Sequence, residues 1–154
     1  MLYFAYGSNM DWQQMRNRCP TARFVGVAAL RDHRLAFTRR SIKRGCGVAD
    51  VVPIEGQVVW GAVFELDDRD IGRLDAAEGY RLGRIKNSYR REERHVFRDG
   101  DDKQPLAAAV YFGEPQEAPP LPNQDYKNLI LVGARRWGLP EVYIRQLEAI
   151  EVAG

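Results

Sequence analysis

The stretch Leu2-Tyr3-Phe4-Ala5-Tyr6 runs without interruption into Gly7-Ser8-Asn9, and it constrains the fold more than any other part of the chain. A short apolar, aromatic-rich run ended by turn residues reads as a buried strand. Begun at residue 2, the strand is expected to leave no room for a signal peptide. Its carboxyl end delivers a glycine, a hydroxyl and an amide. Gly7 has no Cβ, so a left-handed backbone or a close approach of a ligand is expected there. Ser8 and Asn9 are both suited to cap a helix over the polar run Asp11 to Arg16. Free backbone N–H groups at such a turn would form a cradle for a carboxylate or an oxyanion. An ordinary capped turn is the simpler alternative.

Beyond this point the apolar pattern alternates between two periods. Arg23 to Leu30, His33 to Thr38, Val48 to Val52 and Val58 to Leu66 read as strands, with a turn at Pro53 to Gly56 and a basic loop at Arg39 to Gly45. Asp67 then introduces a helix whose apolar stripe is Ile71, Leu74 and Ala77, with Gly79 as its natural terminator. Tyr89 to Arg98 and Leu106 to Phe112 read as a strand pair, and Glu114 to Pro122 as a proline-rich connector. Tyr126, Leu129, Ile130, Gly133, Ala134 and Trp137 recur at helical spacing. Gly138 ends that helix, and Pro140 opens a last one carrying Tyr143, Leu147 and Ile150. The expectation is an α+β chain with a small mixed β-barrel and flanking helices, forming a single domain over residues 1–154.

Several function classes are disfavoured by what the sequence lacks. No stretch approaches the ~18 apolar residues of a membrane helix. Two cysteines, Cys19 and Cys46, make neither a metal motif nor a disulfide framework, so a reducing cytoplasm is the expected setting. With only two histidines, His33 and His95, no metal pair stands at ligand spacing and no metal is expected. Ser8 lacks the glycine two residues before it that a nucleophile elbow requires, and nothing in the sequence places a histidine nearby. Cys46, between two glycines, reads as a small loop residue rather than a nucleophile. Net charge is +2, but the run from Arg81 to Arg98 holds seven basic residues beside Tyr80 and Tyr89. Glu92, Glu93, Asp99, Asp101 and Asp102 offset it, so a solvated strand face, or a rim attracting an anionic metabolite, is favoured over a nucleic-acid footprint.

Glu78 is the one carboxylate in a suggestive place. At a helix C-terminus it faces the negative end of the macrodipole, which disfavours its charged form by ~0.3–1 kcal/mol. Desolvation by a pocket would carry its pKa toward the range of a general base. A solvated glutamate at a frayed helix end is the alternative.

The strings YFAYGSNM at 3–10, VWGAVFEL at 59–66, LDAAEGY at 74–80, Tyr126-Lys127 and GARRWGLP at 133–140 resemble, in this order, the gamma-glutamylcyclotransferase family. The resemblance spans Leu2 to about Ile150. It implies a small β-barrel and a cofactor-free lyase that cyclises a gamma-glutamyl group to 5-oxoproline, releasing the attached amine. It also implies a substrate-binding stretch made of Tyr3, Phe4, Ala5, Tyr6, Gly7, Ser8 and Asn9. Glu78 would be the catalytic acid/base, and Tyr111 and Tyr126 would help to line the pocket. Asn9 resembles the branch acting on gamma-glutamyl amino acids. The basic connection Gly79 to Tyr89 departs from the family pattern and leaves the departing amine undetermined. The implied partner is a small gamma-glutamyl molecule, not nucleic acid or membrane, and a homodimer is left open. The alternative is a non-catalytic binding protein for a small carboxylate ligand.

Overall fold

A computed structural model describes all 154 residues. Five strands form a closed barrel in the order β1-β3-β2-β4-β5: β1 Leu2–Ala5, β2 Arg23–Ser41, β3 Cys46–Glu65, β4 Tyr89–Arg98 and β5 Pro105–Gly113. β1 is antiparallel to β3, with Leu2 opposite Glu65 and Ala5 opposite Ala62. It meets β5 in parallel at Tyr3 and Ala109, which closes the barrel. Four helices flank the barrel: α1 Trp12–Arg18, α2 Asp68–Ala77, α3 Gln124–Trp137 and α4 Glu141–Glu148. No helix is long and apolar enough to cross a membrane.

Three local expectations are corrected. The two segments on either side of Asp32 are one strand, β2, bent where Asp32 adopts φ 59°. Pro53 to Gly56 does not reverse the chain, because β3 runs through it. Arg31 pairs with Val58 and His33 with Pro53, so residues Ile54 to Gln57 bulge opposite the single Asp32. The Gly56 N–H donates to Asp32 Oδ1 at 3.0 Å and pins the bulge. The basic loop is thereby shortened to the tip of a long β2–β3 hairpin.

The third correction concerns the helix after β1. Asp11, not Ser8 or Asn9, caps α1, its side chain accepting from Gln14 N at 3.0 Å. Ser8–Met10 form a separate 3-10 turn, with Asp11 N–H donating to Ser8 O at 2.9 Å. The Ser8 and Asn9 side chains are therefore free for other partners.

α3 holds this turn in place. Gly133 lies so close to it that a Cβ there would sit 2.4 Å from the Met10 carbonyl carbon. One turn later Trp137 Nε1 donates to Met10 O at 2.8 Å. The Trp137 ring stacks on Phe24 at 4.2 Å between centroids and meets Trp12 edge-on at 5.5 Å, fixing the helix on the barrel.

The basic run on β4 is largely paired on the protein itself: Arg90 and Arg94 with Glu92, and Arg91 with Asp75.

Two glycine substitutions test this packing. Gly133→Ala is expected to lower the melting temperature by several degrees, the added methyl costing about 1–3 kcal/mol against Met10. Gly72→Ala, exposed on α2 with nothing within 4 Å of the new Cβ, should raise stability by about 0.4–1 kcal/mol. A thermal melt in which Gly133→Ala is as stable as the parent would contradict the close approach.

Candidate active site

α2 determines where Glu78 sits. The helix starts just after β3, at the level where Leu2 pairs with Glu65. Ten helical residues span about 15 Å, close to the rise of β1 from Leu2 to Tyr6 at about 3.3 Å per residue. The end of α2 therefore reaches the carboxyl end of β1. Asp70 anchors its start by accepting from Thr21 N at 2.8 Å and Thr21 Oγ1 at 2.6 Å. The expected side-chain cap from Asp67 is not made. Near the other end, Asp75 accepts from Tyr111 Oη at 2.5 Å and from Arg91 at 3.0 Å, tying α2 to β5 and β4.

The helix ends as Gly79 predicts. Gly79 takes φ 67°, its N–H donates to Ala76 O at 3.1 Å, and Tyr80 N–H donates to Asp75 O at 2.8 Å. This pair of bonds is a Schellman motif, and it leaves Glu78 as the last residue before the left-handed step. Its side chain points into a cavity of about 1150 Å³ that is also lined by Tyr3, Tyr6, Gly7, Ser8 and Asn9.

A directed network holds the carboxylate. Asn9 Nδ2 donates to Glu78 Oε1 at 3.2 Å and to Tyr3 Oη at 3.0 Å. Asn9 Oδ1 accepts from Arg18 at 2.9 Å and from Gln14 Nε2 at 2.9 Å. Gln14 Nε2 also donates to Ser8 Oγ at 2.8 Å, while Gln14 Oε1 accepts from Arg44 at 2.7 Å. The Glu78 pKa is raised above the ordinary glutamate value. Burial is the largest cause, opposed by the charges of Arg18 and Arg44 and by the Asn9 hydrogen bond, while Asp75 adds a further rise.

Aromatic hydroxyls frame the rest of the cavity. Tyr126 Oη accepts from Ala49 N at 2.9 Å, and Tyr89 Oη donates to Ala49 O at 2.7 Å. Burial raises the Tyr126 phenol to about 12. Tyr6 Oη donates to Tyr111 O at 2.7 Å, and the Tyr3 and Tyr111 rings meet edge to face at 5.8 Å.

Of the residues expected in the site, Glu78, Tyr3, Tyr6, Gly7, Ser8, Asn9, Tyr111 and Tyr126 all line this cavity. Phe4 and Ala5 do not. Both are fully buried, and Phe4 packs beneath Gly61, where a Cβ would come 2.9 Å from its ring. Gly7 has φ −118°, so the left-handed expectation fails. What the position does require is room: a Cβ would lie 3.2 Å from Ala49 Cβ and 3.6 Å from Tyr126 Oη. The Gly7 N–H has no hydrogen bond within the protein. Neither histidine lines the cavity. Cys46 is buried under the proline-rich connector, its neighbour Gly47 donating to Leu121 O at 2.9 Å.

Sequence reasoning missed Gln14, Arg18 and Arg44. A signal was present for the first two, which stand at i and i+4 on one face of α1 among residues otherwise facing solvent or core. Arg44 carried no local signal, because its role depends on the hairpin folding over the cavity.

Comparisons with known proteins agree with this architecture. Residues 3–128 match the family described as gamma-glutamyl cyclotransferase, AIG2-like. A gamma-glutamylcyclotransferase of Mus musculus is 34% identical, the match covering 97% of this chain and 78% of that protein. One of Homo sapiens is 33% identical with the same coverage. A solved gamma-glutamyl cyclotransferase superposes with a TM-score of 0.89 at 32% identity, covering 99% of this chain and 89% of that one.

The electrostatic balance at Glu78 is open to direct measurement. Arg18 lowers the Glu78 pKa, so Arg18→Met is expected to raise it further. Side-chain carboxyl titration by NMR should show the Glu78 resonance moving to higher pH, and an unchanged titration would remove Arg18 from this role.

Proposed function

The chain belongs to the gamma-glutamyl cyclotransferase family, and we propose that it cyclises gamma-glutamyl amides in this cavity with Glu78 as the proton-transferring group. The observation that carries the reading is a half-buried carboxylate, aimed by Asn9 and raised in pKa, in a cavity otherwise rich in cations. A carboxylate of this kind has no use in a site that only binds an anion.

The chemistry asks little of the protein beyond proton transfer and positioning. The substrate's α-amino nitrogen attacks its own γ-carbonyl carbon, closing a five-membered ring. Folding the substrate so that these two atoms meet exploits the large effective molarity of an oriented intramolecular attack. The nitrogen attacks as the free amine, and Glu78, ionised at the start, accepts the one proton it gives up as the new bond forms. The carbonyl oxygen gains charge as the new C–N bond forms. Collapse of that intermediate breaks the bond from the γ-carbon to the departing nitrogen. Protonated Glu78 returns its proton to that nitrogen, so 5-oxoproline and a free amine leave and the carboxylate is regenerated.

The remaining groups supply binding and charge. The Gly7 N–H is available to the developing oxyanion or to the substrate's α-carboxylate. Arg18 and Arg44 give this end of the cavity a positive potential that favours the α-carboxylate. Tyr3, Tyr111 and Tyr126 supply walls that keep bulk water from the reacting atoms.

Raising the Glu78 pKa matters because a carboxylate at its ordinary value is a weak acceptor for the proton of the nitrogen that has just bonded to the γ-carbon. Glu78→Gln keeps the side chain's size and its contact with Asn9 but cannot accept a proton. It should fold normally and lower kcat by about 10²–10⁴-fold. Release of 5-oxoproline from gamma-glutamyl-alanine is the assay, and a variant with parental turnover would remove Glu78 from the mechanism.

A further inference from the structure

The cavity holds more positive charge than one α-carboxylate can use. Five cations line it (Arg18, Arg39, Arg40, Lys43 and Arg44), against two carboxylates, Asp11 and Glu78. Asp11 is occupied as the cap of α1. None of the five cations is ion-paired, because all nine ion pairs of the protein lie elsewhere. Nine of the fifteen other arginines are ion-paired, so an unpaired group of five cations around one cavity points to an external anion.

The five divide by position. Arg18 and Arg44 are committed to the Asn9–Gln14 network beside Glu78. Arg39, Arg40 and Lys43, on the same β2–β3 hairpin as Arg44, stand outside that network. Arg39 is half-buried and oriented entirely by neutral acceptors, donating to Glu114 O at 2.6 Å and to Ser88 Oγ at 3.5 Å. The Arg40 backbone is fixed by Gln116, which accepts from its N–H at 2.7 Å. The hairpin tip is tightened by Ser41, whose carbonyl accepts from Gly45 N at 2.8 Å and whose Oγ accepts from Arg44 N at 3.1 Å. The Arg39 guanidinium is thus held in place, and the hairpin that carries Arg40 and Lys43 is fixed, without any charge of the protein to satisfy the three cations. The cavity is also larger than the ~300–1,000 Å³ that commonly takes a drug-sized ligand, leaving space beyond a gamma-glutamyl group.

We propose that Arg39, Arg40 and Lys43 form a subsite for an anionic departing amine, so that the preferred substrate is a gamma-glutamyl group attached to an acidic amino acid. This rests on the cyclotransferase reading of the cavity. In that pose the gamma-glutamyl end lies between Glu78 and the Gly7–Asn9 turn. The departing amino acid extends under the hairpin, and its two carboxylates meet the three cations. A departing amine that is itself a cation is repelled there.

The test compares kcat/KM for gamma-glutamyl-glutamate, gamma-glutamyl-alanine and gamma-glutamyl-lysine, read as 5-oxoproline at low and high NaCl. The acidic substrate is expected to exceed the neutral one by about tenfold, the effect of one partly desolvated ion pair, with the lysine substrate poorest. The preference should shrink at high salt, as screening requires. Lys43→Glu, at an exposed hairpin tip, should erase or reverse it. Arg39→Ala should weaken it through KM more than kcat. Equal turnover of the three substrates, or a preference indifferent to both salt and Lys43→Glu, would overturn the subsite while leaving the cyclotransferase reading intact. No 5-oxoproline from any of the three would overturn both.

Discussion

Two guanidinium groups set the polarity of the whole site. Arginine donates hydrogen bonds, accepts none and stays charged at any relevant pH. Arg44 meets Gln14 Oε1, so Gln14 must turn its amide nitrogen toward Ser8 and Asn9. Arg18 meets Asn9 Oδ1, so Asn9 must turn its own nitrogen toward Tyr3 and Glu78. The reverse orientation of Asn9 would set a carbonyl oxygen against the Glu78 carboxylate and an NH₂ against two donors. Glu78 therefore receives a single neutral hydrogen bond while the cations stay one residue removed. That is enough to orient the carboxylate. It is not enough to cancel burial, and the pKa stays raised.

This network depends on two supports that approach from opposite sides. α3 presses Gly133 against Met10, hydrogen-bonds its carbonyl through Trp137 and sends Tyr126 to the Ala49 backbone beside Gly7. The turn bearing Ser8 and Asn9 is thus packed between a helix and a strand. α2 is pinned by Asp70 at its start and by Asp75 near its end, so the carboxyl group of Glu78 is located by two anchors rather than by a free helix terminus. Asp70 bridges to the turn between α1 and β2, and Asp75 to the barrel strands β4 and β5. Glu78 alone among the acidic residues of α2 and its cap is turned into the cavity.

The features legible in the sequence were those set locally. β1 and its Gly-Ser-Asn turn, the apolar stripe of α2, the terminating role of Gly79 and the amphipathic α3 all follow from residues close together in the chain. They were enough to suggest a small barrel with flanking helices and to single out Glu78. Two of the misreadings come from competition between equivalent local signals. Pro53 and Gly56 are turn residues, yet the hairpin absorbs them as a bulge because the strand pairing on either side outweighs a local reversal. Ser8, Asn9 and Asp11 are all good caps, and Asp11 takes that role, releasing the other two. Phe4 and Ala5 belong to the binding stretch by sequence but are buried away from the cavity. The close packing of Gly61 against the Phe4 ring and the Ala5 carbonyl decides this, and it is not visible from the string itself. Arg44 lies 30 residues from Gln14 in the chain, so nothing local could pair them.

The central claim is that Glu78 exchanges the proton in ring closure, and it is tested most directly by measuring one protein in two ways. The pH dependence of kcat/KM for gamma-glutamyl-alanine should have an acid limb, since the carboxylate form is the one that accepts the proton. The midpoint of that limb should coincide with the Glu78 pKa read by carboxyl NMR titration of the free protein, and both should lie above the ordinary glutamate value. A rate that stays constant while the Glu78 resonance titrates would contradict the account.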